Sequence, residues 1–157
     1  IKPAAVGLPL IALALTVAGC GREPLRDGAG VVARPGTVAV QDLRIGDCYA
    51  DLATSAKDVP VVPCDDLHVA QVYARAELKG GYGPGGTDLY QASSEQSEAQ
   101  ARCADAFQEA MGLPPERSEL AFEYFAPTKD RWEGGDRTVV CSIVDPTGAP
   151  LTESVLG

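Results

Sequence analysis

Alternating apolar and polar positions recur in five short segments after residue 36, and this period of two predicts β-strands. The segments are TVAV at 37–40, VPVVPC at 59–64, HVAQVYARAEL at 68–78, AFEYFAP at 121–127 and TVVCSIVD at 138–145. Between the third and fourth segments, residues 79–88 hold five glycines and one proline, which predicts an exposed loop. Residues 130–137 form the turn between the last two strands.

A helical period replaces the strand period between residues 94 and 111. Ser93 with Gln96 three residues later matches a capping box, and Gly112 ends the helix before a Pro-Pro pair. The predicted fold is therefore α+β, a small, largely antiparallel sheet with one main helix packed on one face. The helix residues expected to face that sheet are Ala99, Cys103, Ala106, Phe107, Ala110 and Met111.

The N-terminal segment has the pattern of an export signal. An almost uncharged run follows Lys2 as far as Gly19, and it is shorter than the roughly 20 apolar residues of a comfortable membrane span. The run ends Val17-Ala18-Gly19-Cys20, which resembles the bacterial lipobox. We predict a lipoprotein signal peptide at 1–19 and lipidation of Cys20 by acyl chains such as palmitate. The alternatives are an ordinary secretory signal and a transmembrane helix.

The segment after Cys20 predicts a flexible tether. It reads GREPLRDGAGVVARPG, with four glycines, two prolines and charges of both signs but little apolar periodicity. We therefore divide the chain into a signal peptide at 1–19, a lipidated cysteine and tether at 20–36, and one extracytoplasmic domain at 37–157. A tether of about 16 residues would let that domain hover roughly 20 Å from its anchor.

Charge excludes one class of partner. The chain has 13 Lys plus Arg against 22 Asp plus Glu, a net charge of −9, so a polyanion would repel it. Nucleic acid is therefore not an expected partner. The apolar fraction of 45% is that of a packed domain rather than a disordered chain.

Four cysteines remain besides Cys20, and an even set in an exported chain predicts disulfides. Four cysteines allow three connectivities. We favour Cys48 with Cys64, which enclose a short connection, and Cys103 with Cys141, which would join the helix to a core strand. A zinc site is disfavoured because the sequence has no CxxC and only one histidine, His68.

Several ordered motifs resemble the septum-formation domain. They are DLRIGDC at 42–48, VVPCDDLHVAQVY at 61–73, Cys103 on the helix, and WEGGDRTVVC at 132–141. The resemblance covers about residues 42–156. It implies an envelope-associated protein, often a lipoprotein or otherwise tethered to the membrane, of high-GC Gram-positive bacteria.

The sequence predicts no catalytic set, cofactor or metal. Nucleophilic hydrolysis needs a Ser or Cys beside a base, yet there is no Gly-x-Ser-x-Gly elbow. We expect His68 to hydrogen-bond to a neighbouring turn, and Asp136 with Arg137 to form an ion pair beneath Trp132. The alternatives are an acid/base cluster at Asp65, Asp66 and His68, and a calcium site at Asp130, Glu133 and Asp136.

These observations together predict a membrane-anchored lipoprotein on the extracytoplasmic face of the cell membrane. Its expected role is non-catalytic binding or scaffolding at the cell envelope, in septum formation or cell division. Its expected partners are the membrane, through the lipid anchor, and an unidentified envelope protein or wall component. The alternative is an envelope hydrolase or small-ligand-binding domain that uses the Asp65, Asp66 and His68 corner.

Overall fold

The computed structural model of the protein describes residues 23–51, 58–79 and 98–156. The predicted signal peptide, Cys20, the helix start at Ser93 and most of the glycine-rich loop lie outside these residues. The elements are β1 (Leu25–Arg26), β2 (Val32–Arg34), β3 (Gly36–Ala39), β4 (Cys48–Tyr49), β5 (Asp58–Val62), β6 (Ala70–Glu77), α1 (Glu98–Met111), β7 (Ala121–Phe125), α2 (Lys129–Glu133) and β8 (Thr138–Val144).

Six strands form one antiparallel sheet in the order β3-β5-β4-β6-β8-β7. Its centre is the long pairing of β6 with β8, and five consecutive residues of β8 are buried because elements cover both faces. A register shift between Val72 and Ala74 leaves Tyr73 as an extra residue in β6. Such a bulge increases the local twist of a strand, and the sheet is curled. The α+β prediction is confirmed.

Helix α1 covers one face of the sheet, as its sequence pattern predicts. Ala99, Cys103 and Phe107 are fully buried, four residues apart, and they pack against alternate residues of β8. Tyr73 adds an edge-on ring contact to Phe107, with the ring centroids 5.7 Å apart. Ala110 is the one predicted member of the stripe that is exposed, whereas Met111 after it packs against the core.

The opposite face of the sheet is concave because the sheet curls. A second cluster of buried apolar side chains fills this concave face, and strands from both ends of the sheet contribute to it. Its largest member is Tyr49, whose ring lies 6.2 Å from that of Phe125. The buried members are Val32, Leu43, Tyr49, Val59, Val61, Ala70, Val72 and Val140.

The predicted tether at 20–36 needs correction for its described part. Strands β1 and β2 form an antiparallel hairpin, and Val32 is 4% exposed within the concave core. The Asp27 carboxylate accepts hydrogen bonds from two backbone N–H groups of the connecting turn, and Gly30 has a φ of 87° that favours glycine. Residues 23–36 are therefore part of the folded domain.

Both predicted disulfides are present. Cys48 bonds to Cys64 with a Cα–Cα distance of 5.3 Å, and Cys103 bonds to Cys141 with a distance of 5.6 Å. The first disulfide joins β4 to Cys64, which lies two residues after the end of the neighbouring strand β5. The second fixes α1 to β8 across the helix-side core.

No helix within residues 23–51, 58–79 and 98–156 is long and apolar enough to cross a membrane.

Candidate functional site

His68 lies beneath the surface rather than in an open acid/base cluster. Its backbone pairs with that of Leu151 in both directions, at 3.1 and 2.8 Å, and its side chain is 1% exposed. The ring Nδ1 donates to the backbone carbonyl of Asp66 at 2.8 Å, which confirms the predicted bond to a turn. Asp65 and Asp66 are exposed, and the ring bonds to neither carboxylate.

A buried glutamine connects this corner to the end of the domain. Gln71 is 2% exposed, and its Nε2 donates to Ser154 Oγ at 2.9 Å and to the Gly46 carbonyl at 3.5 Å. Its Oε1 accepts from the Val155 N–H at 2.8 Å. The Gly46 carbonyl also lies 3.4 Å from the sulfur of Cys64. The amide therefore binds the disulfide corner to residues 154–155, which are far away in sequence.

Asp47, inside the Gly-Asp-Cys motif, holds the hairpin on the domain. Its carboxylate accepts both Nη groups of Arg26, at 2.6 and 2.8 Å, and the Arg44 N–H at 2.9 Å. The side chains of Arg26 and Asp47 are 13% and 3% exposed. The hydrogen bond to Asp47 and the negative charge of that carboxylate raise the pKa of the Arg26 guanidinium, although burial opposes them. The motif is therefore structural in this fold.

Asp136 pairs with Arg131, so the predicted ion pair with Arg137 is wrong. Residues 129–133 form α2 rather than an open turn, and this helix brings the Arg131 guanidinium back onto the Asp136 carboxylate. Burial opposes ionisation of Asp136. The Thr138 N–H and the Arg131 side chain outweigh that cost, so the pKa of Asp136 lies below its usual value.

Arg137 instead stacks on Trp132. Its guanidinium carbon lies 3.8 Å from the indole centroid, which is cation–π geometry. The same guanidinium donates to the carbonyls of Trp132 and Asp136, at 2.7 and 2.9 Å. The indole does pack over this turn, as predicted, on Arg137 and also against the helix-side core. These four side chains and two backbone carbonyls thus make one preorganised loop, which we call the Trp132 loop (residues 129–137).

Comparison with known families places these features in context. The model of the septum formation family matches residues 45–155, which is most of the chain. The chain belongs to the septum formation family. No curated protein and no solved structure matches it.

The septum formation match begins at residue 45, so the N-terminal hairpin lies outside it. Both disulfides, His68, Gln71 and the Trp132 loop lie inside the matched region. Asp47 also lies inside, but its partner Arg26 does not. The hairpin therefore lies outside the matched residues but is attached to the domain through one residue inside them.

A buried phenol and a carboxylate meet on the concave face, although 74 residues separate them in sequence. Tyr49 donates to Glu123 Oε1 at 2.9 Å. Burial raises the pKa of Tyr49, and the Glu123 charge raises it further; burial likewise raises the pKa of Glu123. Ser142 lies opposite Glu123 in the sheet register, and its hydroxyl is buried next to the Tyr49 phenol. No local motif connects these side chains, so the sequence alone did not indicate the cluster.

An open cleft of about 420 Å³ lies beside the Trp132 loop. Arg75 and Glu77 of β6 line one side of this cleft, and Asp136 and Arg137 line the other. Arg75 also donates to the Gln41 carbonyl at 2.8 Å and to the Leu43 carbonyl, so part of its donor capacity is used within the protein. Charges of both signs line the cleft, which therefore suits a polar partner with mixed charge.

The acidic residues of the Trp132 loop do not form the alternative calcium site. Asp136 is engaged by Arg131 and Thr138, and Glu133 lies 3.9 Å from Lys129 in an exposed ion pair. Within residues 23–51, 58–79 and 98–156, no group of three His, Cys, Asp or Glu side chains lies close enough to hold a metal ion.

Proposed function

We propose that this protein is a lipid-anchored, non-catalytic binding or scaffolding protein on the extracytoplasmic face of the cell membrane, with a role in septum formation. The observation that carries the proposal is the pair of disulfides inside the septum formation region. Structural disulfides persist in oxidising compartments and are rare in the cytosol. They agree with an exported domain, and the family supplies the septal role.

The state of the chain's one histidine supports a non-catalytic role. A general base must come within hydrogen-bond reach of the proton that it abstracts. The His68 ring is 1% exposed, and its Nδ1 is bonded to a backbone carbonyl. The two cysteines nearest to it in sequence are joined in a disulfide and are not thiolates. These contacts do not favour a hydrolase at the Asp65, Asp66 and His68 corner.

The membrane anchor in this proposal is Cys20, which follows Val17-Ala18-Gly19 at the end of the apolar run. Acylation supplies about 0.8 kcal/mol for each buried methylene, and two chains are needed for stable attachment. The proposed partner beyond the membrane is an envelope protein or a wall component. The net charge of −9 argues against nucleic acid.

The Trp132 loop and its cleft are the surface that best suits such a partner. The loop is held by an ion pair, a cation–π contact and four hydrogen bonds to main-chain groups or Gln41, so little ordering would be required on binding. Tryptophan and arginine are also the side chains most enriched where binding energy concentrates at interfaces.

In-cell photo-crosslinking with fractionation tests the proposal. A photoreactive residue at Glu77, on the rim of the cleft, should produce a discrete adduct in the membrane fraction, and one at exposed Glu116 should not. A fluorescent fusion of the full chain should concentrate at septa. Cys20→Ala should block acylation and leave the protein unprocessed or released. If the Cys20→Ala protein stays processed and extractable only with detergent, the anchor is wrong; if the fusion avoids septa, the septal role is wrong.

A further inference from the structure

The outer face of the hairpin is apolar. Neighbouring residues of a strand point to opposite sides, and Arg26 and Val32 point inward to Asp47 and the core. Leu25 and Val31, each next to one of these inward residues, are 51% and 52% exposed. This apolar face therefore points away from the domain.

A third exposed apolar residue lies in the turn to which the hairpin is attached. Ile45, 60% exposed, is in the turn closed by the hydrogen bond from the Asp47 N–H to the Arg44 carbonyl. Asp47 is also the residue that Arg26 clamps, so hairpin and turn form one unit. Four large hydrophobic residues are more than half exposed among the described residues, and three of them belong to this unit; the fourth is Leu67. We call the three the apolar tip (Leu25, Val31 and Ile45).

Charge separates the apolar tip from the rest of the protein. Residues 20–47 contain four basic and four acidic side chains, whereas residues 48–157 contain eight basic and eighteen acidic ones. All of the net negative charge thus lies in residues 48–157, and the segment that carries the tip is neutral overall. Exposed arginines flank the tip: Arg34 is the register partner of Leu25, and Arg44 precedes Ile45. Apolar side chains with neighbouring arginines suit a lipid–water boundary, since arginine can keep its charge among headgroups.

The short distance between Cys20 and Leu25 favours the membrane, rather than a protein, as the partner of the apolar tip. This step rests on the lipid anchor proposed above. Cys20 and Leu25 are five residues apart, so their Cα atoms lie at most about 18 Å from each other. We infer that the apolar tip contacts the lipid surface directly and holds the domain in one orientation, with its acidic remainder pointing away from the membrane. The hairpin, and not a flexible tether, then connects the domain to the membrane and fixes its orientation.

Accessibility of single labels on the acylated full chain tests this inference. With Cys20 acylated and the other four cysteines in disulfides, an introduced cysteine is the only free thiol. A nitroxide at Val31→Cys or Ile45→Cys should lose several-fold in collision with a water-soluble nickel complex when the protein enters vesicles of phosphatidylcholine and phosphatidylglycerol. A nitroxide at Glu116→Cys, on an exposed turn, should not change. Adding Leu25→Asp to the Val31→Cys chain should restore collision at Val31.

The outcomes separate this inference from the proposed function. Attachment with shielding at Val31 and Ile45 supports the inference. Attachment with both labels as accessible as the Glu116 control overturns it and leaves the anchor standing. Shielding in cell membranes but not in vesicles also overturns it, because a protein then covers the tip. Absence of acylation at Cys20, shown by mass spectrometry, overturns the anchor and this inference together.

Discussion

Arg26→Met should be one of the most destabilising single substitutions outside the two apolar cores of this protein. Methionine keeps most of the arginine stem but removes both hydrogen bonds, at 2.6 and 2.8 Å, and leaves the Asp47 charge at 3% exposure. Breaking a buried ion pair in this way costs about 3–5 kcal/mol. Because Arg26 is 13% exposed and Asp47 keeps the Arg44 N–H, we expect the lower end, about 3 kcal/mol. That is a large share of the 5–15 kcal/mol typical of a domain.

Urea unfolding followed by circular dichroism measures this cost. With a slope of about 2 kcal/mol/M, a loss of about 3 kcal/mol lowers the midpoint by roughly 1.5 M. Exposed Arg117→Met is the matched control and should change the free energy of unfolding by less than about 0.5 kcal/mol.

A double-mutant cycle isolates the pair itself. Asp47→Asn removes the charge but keeps an oxygen for the Arg44 N–H, and Arg26→Met/Asp47→Asn should be clearly more stable than the two single costs predict. We expect a coupling energy above about 1.5 kcal/mol. The reasoning is refuted if Arg26→Met lowers the free energy of unfolding by less than about 1 kcal/mol. It is also refuted if the coupling energy is only a few tenths of a kcal/mol, as for exposed ion pairs. Either result would mean that this ion pair does not hold the hairpin on the domain.

Two further predictions concern the cores. Loop-entropy arithmetic assigns about 3 kcal/mol to the Cys48–Cys64 bridge, with a separation of 16, and about 4 kcal/mol to the Cys103–Cys141 bridge, with a separation of 38. Replacing both cysteines of one bridge by alanine should lower the free energy of unfolding, measured with urea, and the loss should be larger for the longer loop. The reverse order would show that packing around the bridges, rather than loop length, sets the cost. Burial raises the pKa of Glu123 above its ordinary value of 4.5. The protonated carboxyl therefore favours the folded state, and this contribution to stability is lost as the pH rises from 4.5 through the raised pKa. Unfolding of Glu123→Gln across pH 4 to 8 should lack that decline, and parallel pH profiles for the variant and the wild type would contradict the burial argument.

The helix and the strands were predictable because each carries its pattern locally. The buried positions of α1 recur every four residues, and β8 is a short, mostly apolar run rich in β-branched residues, TVVCSIV. The hairpin was missed because β1 and β2 have only two and three residues, too short for a period to appear. An Asp-Gly pair between two short apolar stretches, at residues 27–28, was the one signal that could have indicated it.

The contacts between side chains were harder to predict from the sequence than the helices and strands were. Asp136 and Arg137 are adjacent in sequence, but neighbours along an extended chain point to opposite sides, and the helical turn of α2 returns Arg131 to the carboxylate instead. Tyr49 and Glu123 meet only because the sheet curls. The disulfides could be favoured from the sequence because bridged cysteines need neighbouring elements, and Cys48 and Cys64 enclose only a short connection.

The position of Gln71 has a consequence for the order in which the chain can fold. The Gln71 amide needs partners that lie 83 and 84 residues further along the chain. Until Ser154 and Val155 have docked, the Gln71 amide oxygen has neither of the hydrogen bonds that offset its burial, so β6 should open more readily before these residues are in place. Hydrogen exchange on chains shortened before residue 154 should show β6 amides opening faster than in the whole chain. Docking of residues 154 and 155 is thus a late folding step that stabilises the middle of the sheet.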